Sequence, residues 1–298
     1  MTHTSSRAHS ENAAPKARPS RRLLRHQLVI GATIVVAAIG LAVFAPLLAP
    51  RNPFTQTLVI RLQPPGTIID GRMYLLGTDQ LGRDLLSRTI YGAQISLLVS
   101  GGAVLLSAVT GVLLGMISGF FGGRLDFILM KLADIQLAFP FVLLAIAVVA
   151  IVGSSLTTMT VVLALSGWVI YTRTVRAAVL SLREREFIDA AHALGSGHVR
   201  ILARHLFPNV VSLILVIGSV EVAKMILLES TISFLGLGIQ PPTPTWGNIL
   251  GEGRQYNDTA WWIALFPGIA LMTTVLGINF FSDGLRDYLD PRQQRRLT

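Results

Sequence analysis

The chain has no cysteine, only three lysines and only 14% charged residues among its 298 positions. Without cysteine, neither a disulfide framework nor a thiolate-held metal is open to it. The shortage of lysine excludes more. A phosphate-cradling loop needs Gly-x-x-x-x-Gly-Lys-Ser/Thr, and Lys16, Lys131 and Lys224 each follow a residue other than glycine. No nucleotide site is readable. Gly-x-Ser-x-Gly and His-Glu-x-x-His are also missing, so no nucleophile or zinc constellation points to a membrane enzyme. His192, His198 and His205 fall in one segment without a carboxylate at ligand spacing, and they read as surface histidines. No cofactor and no metal is expected.

Apolar sequence is abundant. Hydrophobic residues make up 52% of the chain, too many for an ordinary soluble domain. A helix needs roughly 20 apolar residues to cross a hydrocarbon core of about 30 Å. Residues 28–49 carry no charge, and none falls between Arg88 and Arg124. The uncharged run 135–172 is too long for one span, and Gly153-Ser154-Ser155 divides it in two. With 207–228 and 262–282 the spacing predicts an all-α integral membrane protein of six transmembrane helices. The first span is longer than a secretory signal core and reads as an uncleaved anchor.

The net charge of +9 is no nucleic-acid footprint. It concentrates in the N-terminus (Arg18, Arg21, Arg22, Arg25), in the stretch from Arg173 to Arg204, and in the tail (Arg286, Arg292, Arg295, Arg296). Six spans put these regions on one face, which the positive-inside rule makes cytoplasmic, with both termini. Residues 1–27, poor in large apolar residues, are expected to be a disordered basic tail.

Within this frame the first external loop, from Pro50 to Tyr91, begins as irregular Pro- and Gly-rich chain. Its second half patterns as an interfacial helix with Leu81, Leu85 and Leu86 on one side and Arg83, Asp84 and Arg88 elsewhere. Gly111, Gly115, Gly119 and Gly123 recur every fourth residue in the second span, a spacing that lets helix backbones approach in lipid. Lys131 with Asp134, and Glu221 with Lys224, stand three apart where each pair can self-neutralise, either lining a pathway or fixing helix rotation. Glu229 has no local partner and is expected at the interface. The last external loop, Ser230 to Trp261, carries Pro241-Pro242-Thr243-Pro244 and cannot be a regular seventh span. Trp246, Trp261 and Trp262 suit an interfacial belt.

Residues 184–209 are a charged, helix-patterned stretch between two spans. Phe187, Ala190, Ala191 and Leu194 recur at helical spacing, Gly195 stands at the C-cap, and a second amphipathic run from Val199 stops at Pro208. A small-residue stripe outside the membrane, flanked by Glu184 and Glu186, suits a groove on another protein, or packing on its own bundle.

Asp189-Ala190-Ala191, Gly195 and Pro208 resemble the EAA signature of ABC importer permeases, with Asp189 for the usual Glu and with His205 and Phe207 where Ile and Leu are expected. The spacing from Gly195 to Pro208 is kept. Gly77-Thr78-Asp79-Gln80-Leu81-Gly82-Arg83-Asp84, Ser233-Phe234-Leu235-Gly236-Leu237-Gly238 and Asp283-Gly284-Leu285-Arg286-Asp287 with Asp290-Pro291 are similar to the peptide/nickel branch, C-type subunit. The resemblance implies a type I ABC importer permease architecture. It also implies a coupling helix, at Glu186, Asp189, Ala190, Ala191, Leu194, Gly195 and Pro208, that docks on a cytoplasmic ATPase. The implied partners are a second homologous permease subunit, two cytoplasmic ATPases, a periplasmic or lipid-anchored binding protein and the lipid bilayer of a bacterial inner membrane, and no nucleic acid. The expected layout is a tail over 1–27, a first span and loop over 28–92, a core transmembrane domain over 93–284 with its coupling loop at 180–206, and a C-terminal tail over 285–298. Di- or oligopeptides lead the expected cargo, beside glutathione, opines and nickel chelates. A secondary transporter working alone would need inverted repeats or a buried ionisable relay, and neither is visible.

Overall fold

The computed structural model describes residues 21–289. Helix α1 (Arg21–Val43) gives way at Phe44 to a single turn, α2 (Ala45–Leu48). The loop that follows holds a 3-10 turn (Leu58–Ile60) and a small antiparallel hairpin, β1 (Thr67–Ile69) with β2 (Arg72–Tyr74), in which Ile68 pairs with Met73. The regular elements after it are helices joined by loops: α3 (Leu85–Phe121), α4 (Gly123–Ala138), α5 (Phe141–Val152), α6 (Leu156–Arg183), α7 (Glu186–Ala193), α8 (His198–Arg200), α9 (Phe207–Phe234), α10 (Trp246–Gly253) and α11 (Trp262–Leu289).

Five of these helices, with α8 and α9 joined through a π-helical turn, are long and apolar enough to cross a membrane. Helices α4 and α5 meet at 89°, and counted together as one broken span they bring the number of crossings to six. Pro140 causes the break, since it lacks the N–H that would bond Gln136 and it forces Phe139 into extended backbone (φ −96°, ψ 133°). Gly153 ends α5 with φ +87°, and the Ser155 hydroxyl accepts the Thr158 N–H at 3.0 Å to start α6, so the turn expected at 153–155 is where the chain turns.

The boundaries differ from the expected layout at both ends. Helix α1 already includes residues 21–27, which were expected in a disordered tail, while 1–20 lie outside the described residues. At the other end α11 runs to Leu289, taking in part of the expected tail, and 290–298 lie outside the described residues. No interfacial helix over 79–91 forms. Leu85 instead begins a single 37-residue helix, α3, that runs through the whole second span.

Helices α3 and α6 run parallel and nearly touch backbone to backbone. A Cβ on Gly111 would lie 2.5 Å from the Trp168 carbonyl oxygen, one on Gly115 2.6 Å from that of Thr172, and one on Gly119 2.9 Å from that of Arg176. Each contact steps one turn along both helices, as a small-residue stripe requires in lipid. The Ser107 hydroxyl donates to the Ala164 carbonyl (2.8 Å) and that of Thr172 to the Gly111 carbonyl (3.1 Å). Gly123, the fourth of the series, does not pack at all: it has φ +60° and nothing near it, and it turns the chain into α4. Helices α1 and α11 pack antiparallel by the same device, Gly277 against Ile34 and Gly284 against Leu28. In consequence the start of α1, the end of α11 and α7 lie at one end of the bundle, and the hairpin loop and α10 at the other.

Replacing Gly115 by Val should drive α3 and α6 apart and cost about 1–3 kcal/mol, read as a lower melting temperature in detergent. Gly101→Ala, in the same helix with nothing within 4 Å of its new methyl, should be neutral or slightly stabilising.

Candidate functional site

At one end of the bundle α7 is an eight-residue helix with two faces. Ile188 and Ala191 are buried and join a core cluster with Met116 of α3, Val175 and Val179 of α6, and Val210 of α9. Phe187, Ala190 and Leu194 remain exposed, Leu194 to 86%. The expected four-residue stripe is therefore split: Ala191 faces the chain's own body, and the outward face is Phe187, Ala190, Leu194 and, beside them, Asp189 and Glu186. The helix closes as a Schellman motif, in which the Ser196 N–H bonds the Ala191 carbonyl (3.0 Å) and the Gly195 N–H bonds that of His192 (2.9 Å). Gly195 sits at φ +73°, a conformation that costs any L side chain roughly 1 kcal/mol or more.

Pro208 does not stop the run from Val199. The chain passes through α8 and a π-helical turn (Ile201–Leu206) straight into α9, with Pro208 in its first turn. The wider turn absorbs the missing proline donor, which an α-helical turn would leave as an open bond and a clash. Above α7, the last turn of α3 is gripped. The Phe120 ring stacks on His192 (centroids 6.3 Å apart) and meets His198 edge-on (5.6 Å), and Phe121 meets His198 (5.8 Å). One Arg183 nitrogen donates to the carbonyls of Gly119 and Phe120.

At the opposite end, the motif at 77–84 folds into a buried ionic clasp. Asp79, Arg83 and Arg88 are each at most 1% exposed. One Asp79 oxygen accepts from Arg83 Nε and from Arg88, both at 2.5 Å, while the other accepts the backbone N–H groups of Leu81 (2.8 Å) and Arg83 (2.9 Å). Glu252 of α10 completes it, accepting from Gln80 (2.7 Å), Arg83 (2.8 Å) and Arg88 (2.7 Å). Two guanidinium and two carboxylate groups leave the clasp neutral, the condition on which such burial depends. Asp84 caps α3, accepting the Ser87 N–H at 2.8 Å, and pairs with Arg51. Gly77 (φ +79°) and Gly82 (φ +71°) let the loop close against Gln63 and Thr57. Amphipathic patterning had put Arg83 and Arg88 at a lipid interface. The available signal was the match of two acids, Asp79 and Asp84, with two bases, Arg83 and Arg88, in the ten residues 79–88, which ionic pairing explains better.

The intramembrane charges also rearrange. Glu221 and Lys224 pair as expected (3.1 Å). Asp134 turns away from Lys131 and pairs with Arg173 of α6, leaving Lys131 exposed, and Asp126 pairs with Arg176 (2.5 Å). Glu229 is not interfacial: it is fully buried, accepting from Ser96 of α3 (3.0 Å), Ser233 (2.7 Å) and Ser230 (3.4 Å). Trp246 leaves the expected belt as well, buried with its indole N–H donating to the Thr89 carbonyl (3.1 Å). Trp262 is buried likewise and donates to that of Thr78, while Trp261 alone stays exposed. Among the described residues no group of three or more potential ligands could hold a metal ion.

Residues 111–295, which carry α7 and most of the spans, match the family described as the binding-protein-dependent transport system inner membrane component. The chain belongs to that family. Residues 20–65 further match the N-terminal TM domain of oligopeptide transport permease C. The chain is 40% identical over 263 residues to the di/tripeptide transport system permease protein DppC of Pseudomonas aeruginosa, covering 88% of this chain and 87% of that protein. It is 41% identical to the dipeptide transport system permease protein DppC of Alkalihalophilus pseudofirmus (92% and 89%) and 38% to that of Haemophilus influenzae (89% and 90%). As an inner-membrane component of a transport system, this protein spans the bacterial membrane several times, with α7 at one end of its helices and the clasp at the other.

The clasp has a pH signature. Burial raises the pKa of the Glu252 carboxyl, but the Arg88 guanidinium bonded to it and nearby Arg83 outweigh burial and hold it below its ordinary value. A depressed folded-state pKa gives stability that is complete above the unfolded value, about 4.3, and is lost as pH falls through the folded one. Glu252→Gln should lower the melting temperature at neutral pH, through a loss on the order of 3 kcal/mol, and flatten the fall in acid. A melting profile against pH in both proteins checks it.

Proposed function

We propose that the chain is the permease subunit of an ATP-driven peptide importer and that α7 is the helix docked by a partner ATPase. The observation that carries the reading is the split of α7 into a buried and an unpartnered face. Ile188 and Ala191 anchor it in the bundle while Phe187, Ala190 and Leu194 stand free beside Glu186 and Asp189. A helix held this way can be pushed without being torn loose, and its outer face presents i, i+3 and i+7 anchors to a groove. Asp189 orients the docked helix by its charge, and Ala190 permits close approach. Ala191 does the same for the chain's own bundle, Gly195 turns the chain, and Pro208 opens the returning span.

The α7 end is cytoplasmic on this reading, with both termini, as the basic residues favour. Two ATPases sit beneath a pair of permease subunits, this chain and a homologue, and an external binding protein delivers cargo at the α10 end. Hydrolysis belongs to the ATPases, and the chain is not itself an enzyme. The core domain of 93–284 and its coupling loop of 180–206 carry the motion, which switches the spans between inward- and outward-open states. Lys131, Asp134, Glu221 and Lys224 contribute to the pathway side. Half-exposed charges such as Asp134, Arg173 and Lys224 are costly against lipid and favour a water-filled or protein-covered face. Peptide cargo is supported by the names of the relatives, two of them dipeptide permeases and one a di/tripeptide permease.

Leu194→Glu should leave the melting temperature of the isolated chain unchanged and reduce co-purification of the ATPases by about tenfold or more. Uptake of a labelled dipeptide into vesicles holding the whole assembly should fall with it. Normal co-purification by the variant, or uptake that persists without ATP, would sink the reading.

A further inference from the structure

Helix α3 joins the two ends of the molecule. It runs unbroken for 37 residues, about 55 Å at 1.5 Å per residue. At the α7 end the Phe120 and Phe121 rings of its last turn pack on His192 of α7 and His198 of α8, and Arg183 at the end of α6 bonds its last carbonyls. At the far end its first three turns hold α10 by three separate polar contacts. Arg88 bonds Glu252 (2.7 Å), the Thr89 carbonyl accepts the Trp246 indole (3.1 Å), and Ser96 accepts the Trp246 backbone N–H (3.3 Å) while donating to Glu229. Along its length the glycine contacts lock it to α6, so bending within the lever is resisted by close-packed backbone.

We infer that α3 is a rigid lever that ties α10 to α7, with Phe120 as the positioning residue at its driven end. Movement of α7 is passed through the Phe120–His192 stack to α3, and α10 travels with the other end. Helix α10 is then the part of the outer surface whose position reports the state of the inner one. The inference rests on the reading of α7 as the docked helix, but it adds a route and a second moving element. Coupling of this kind is reciprocal, so a protein bound over α10 would act on α7 through the same rod.

The absence of cysteine allows a direct test. Arg254→Cys puts a single thiol on the exposed residue that follows α10. In the assembled transporter its labelling rate by a membrane-impermeant maleimide should change by about fivefold when the ATPases are trapped with ATP. Adding Phe120→Ala should abolish that change while the ATPases still co-purify, and Phe120→Tyr, which keeps the ring, should restore it. A variant that merely unfolded would lose the ATPases and melt at lower temperature, and Phe120→Tyr separates that case by retaining both. Either of two results overturns the lever: no ATP-dependent change in the parent chain with ATPases bound, or a full change in Phe120→Ala. Failure of the parent chain to hold ATPases at all would overturn the docking reading together with the lever.

Discussion

The backbone contact between α3 and α6 is the constraint on which the rest of the molecule depends. In a bilayer, apolar side chains gain little by leaving lipid for one another, so helices associate through close packing and a few polar bonds. Gly111, Gly115 and Gly119 bring α3 within reach of three carbonyls of α6 spaced one turn apart, and the Ser107 and Thr172 hydroxyls bond across the gap that remains. Two parallel helices joined this way need a connection that crosses back between them. The broken pair α4–α5 is that connection, tied to α6 by Asp126–Arg176 and Asp134–Arg173. Its kink follows from Pro140 alone.

Charge is handled differently at the two ends. At the α10 end it is buried and balanced: Asp79, Arg83, Arg88 and Glu252 enclose one another, and the Leu81 and Arg83 N–H groups satisfy the second Asp79 oxygen. Such a cluster holds one geometry, because removing any member strands an opposite charge. On α7 itself the charges of Glu186 and Asp189 are exposed and the fixed face is apolar, with Ile188 and Ala191 seated in the bundle. An outer loop clasped to α3, a seated inner helix and a stiff connection between them are the features on which the proposed passage of motion from α7 to α10 rests.

Much of this was legible in the residues. Long apolar runs gave five spans and the bent pair α4–α5 that brings the count to six, the four-residue glycine period gave the α3 packing stripe, and Gly195 gave the end of α7, since each is a local property of spacing or of backbone freedom. The errors were non-local. Arg83 and Arg88 looked interfacial because helical periodicity ignores a loop that folds back, Trp246 looked exposed because its partner Thr89 lies 157 residues away, and Glu229 because Ser96, which with nearby Ser233 encloses it, lies 133 residues away. Asp134 has a potential partner three residues off at Lys131, yet it reaches Arg173, 39 residues on. Ala191 was counted on the outer stripe because periodicity defines a face without saying which way that face turns.

The sequence by itself determined the class of molecule: an apolar helical chain with no nucleotide or nucleophile motif, whose charged segment between spans is spaced like the docking loop of a permease. Hydropathy and local backbone preference suffice for that, because each is decided within a few turns of helix. Only the tertiary structure decided which side of α7 is free, which charges pair, and that α3 touches both α7 and α10. Those facts depend on groups brought together from distant parts of the chain, and in a protein whose helices meet at close-packed backbones such pairings are set by how the helices stack.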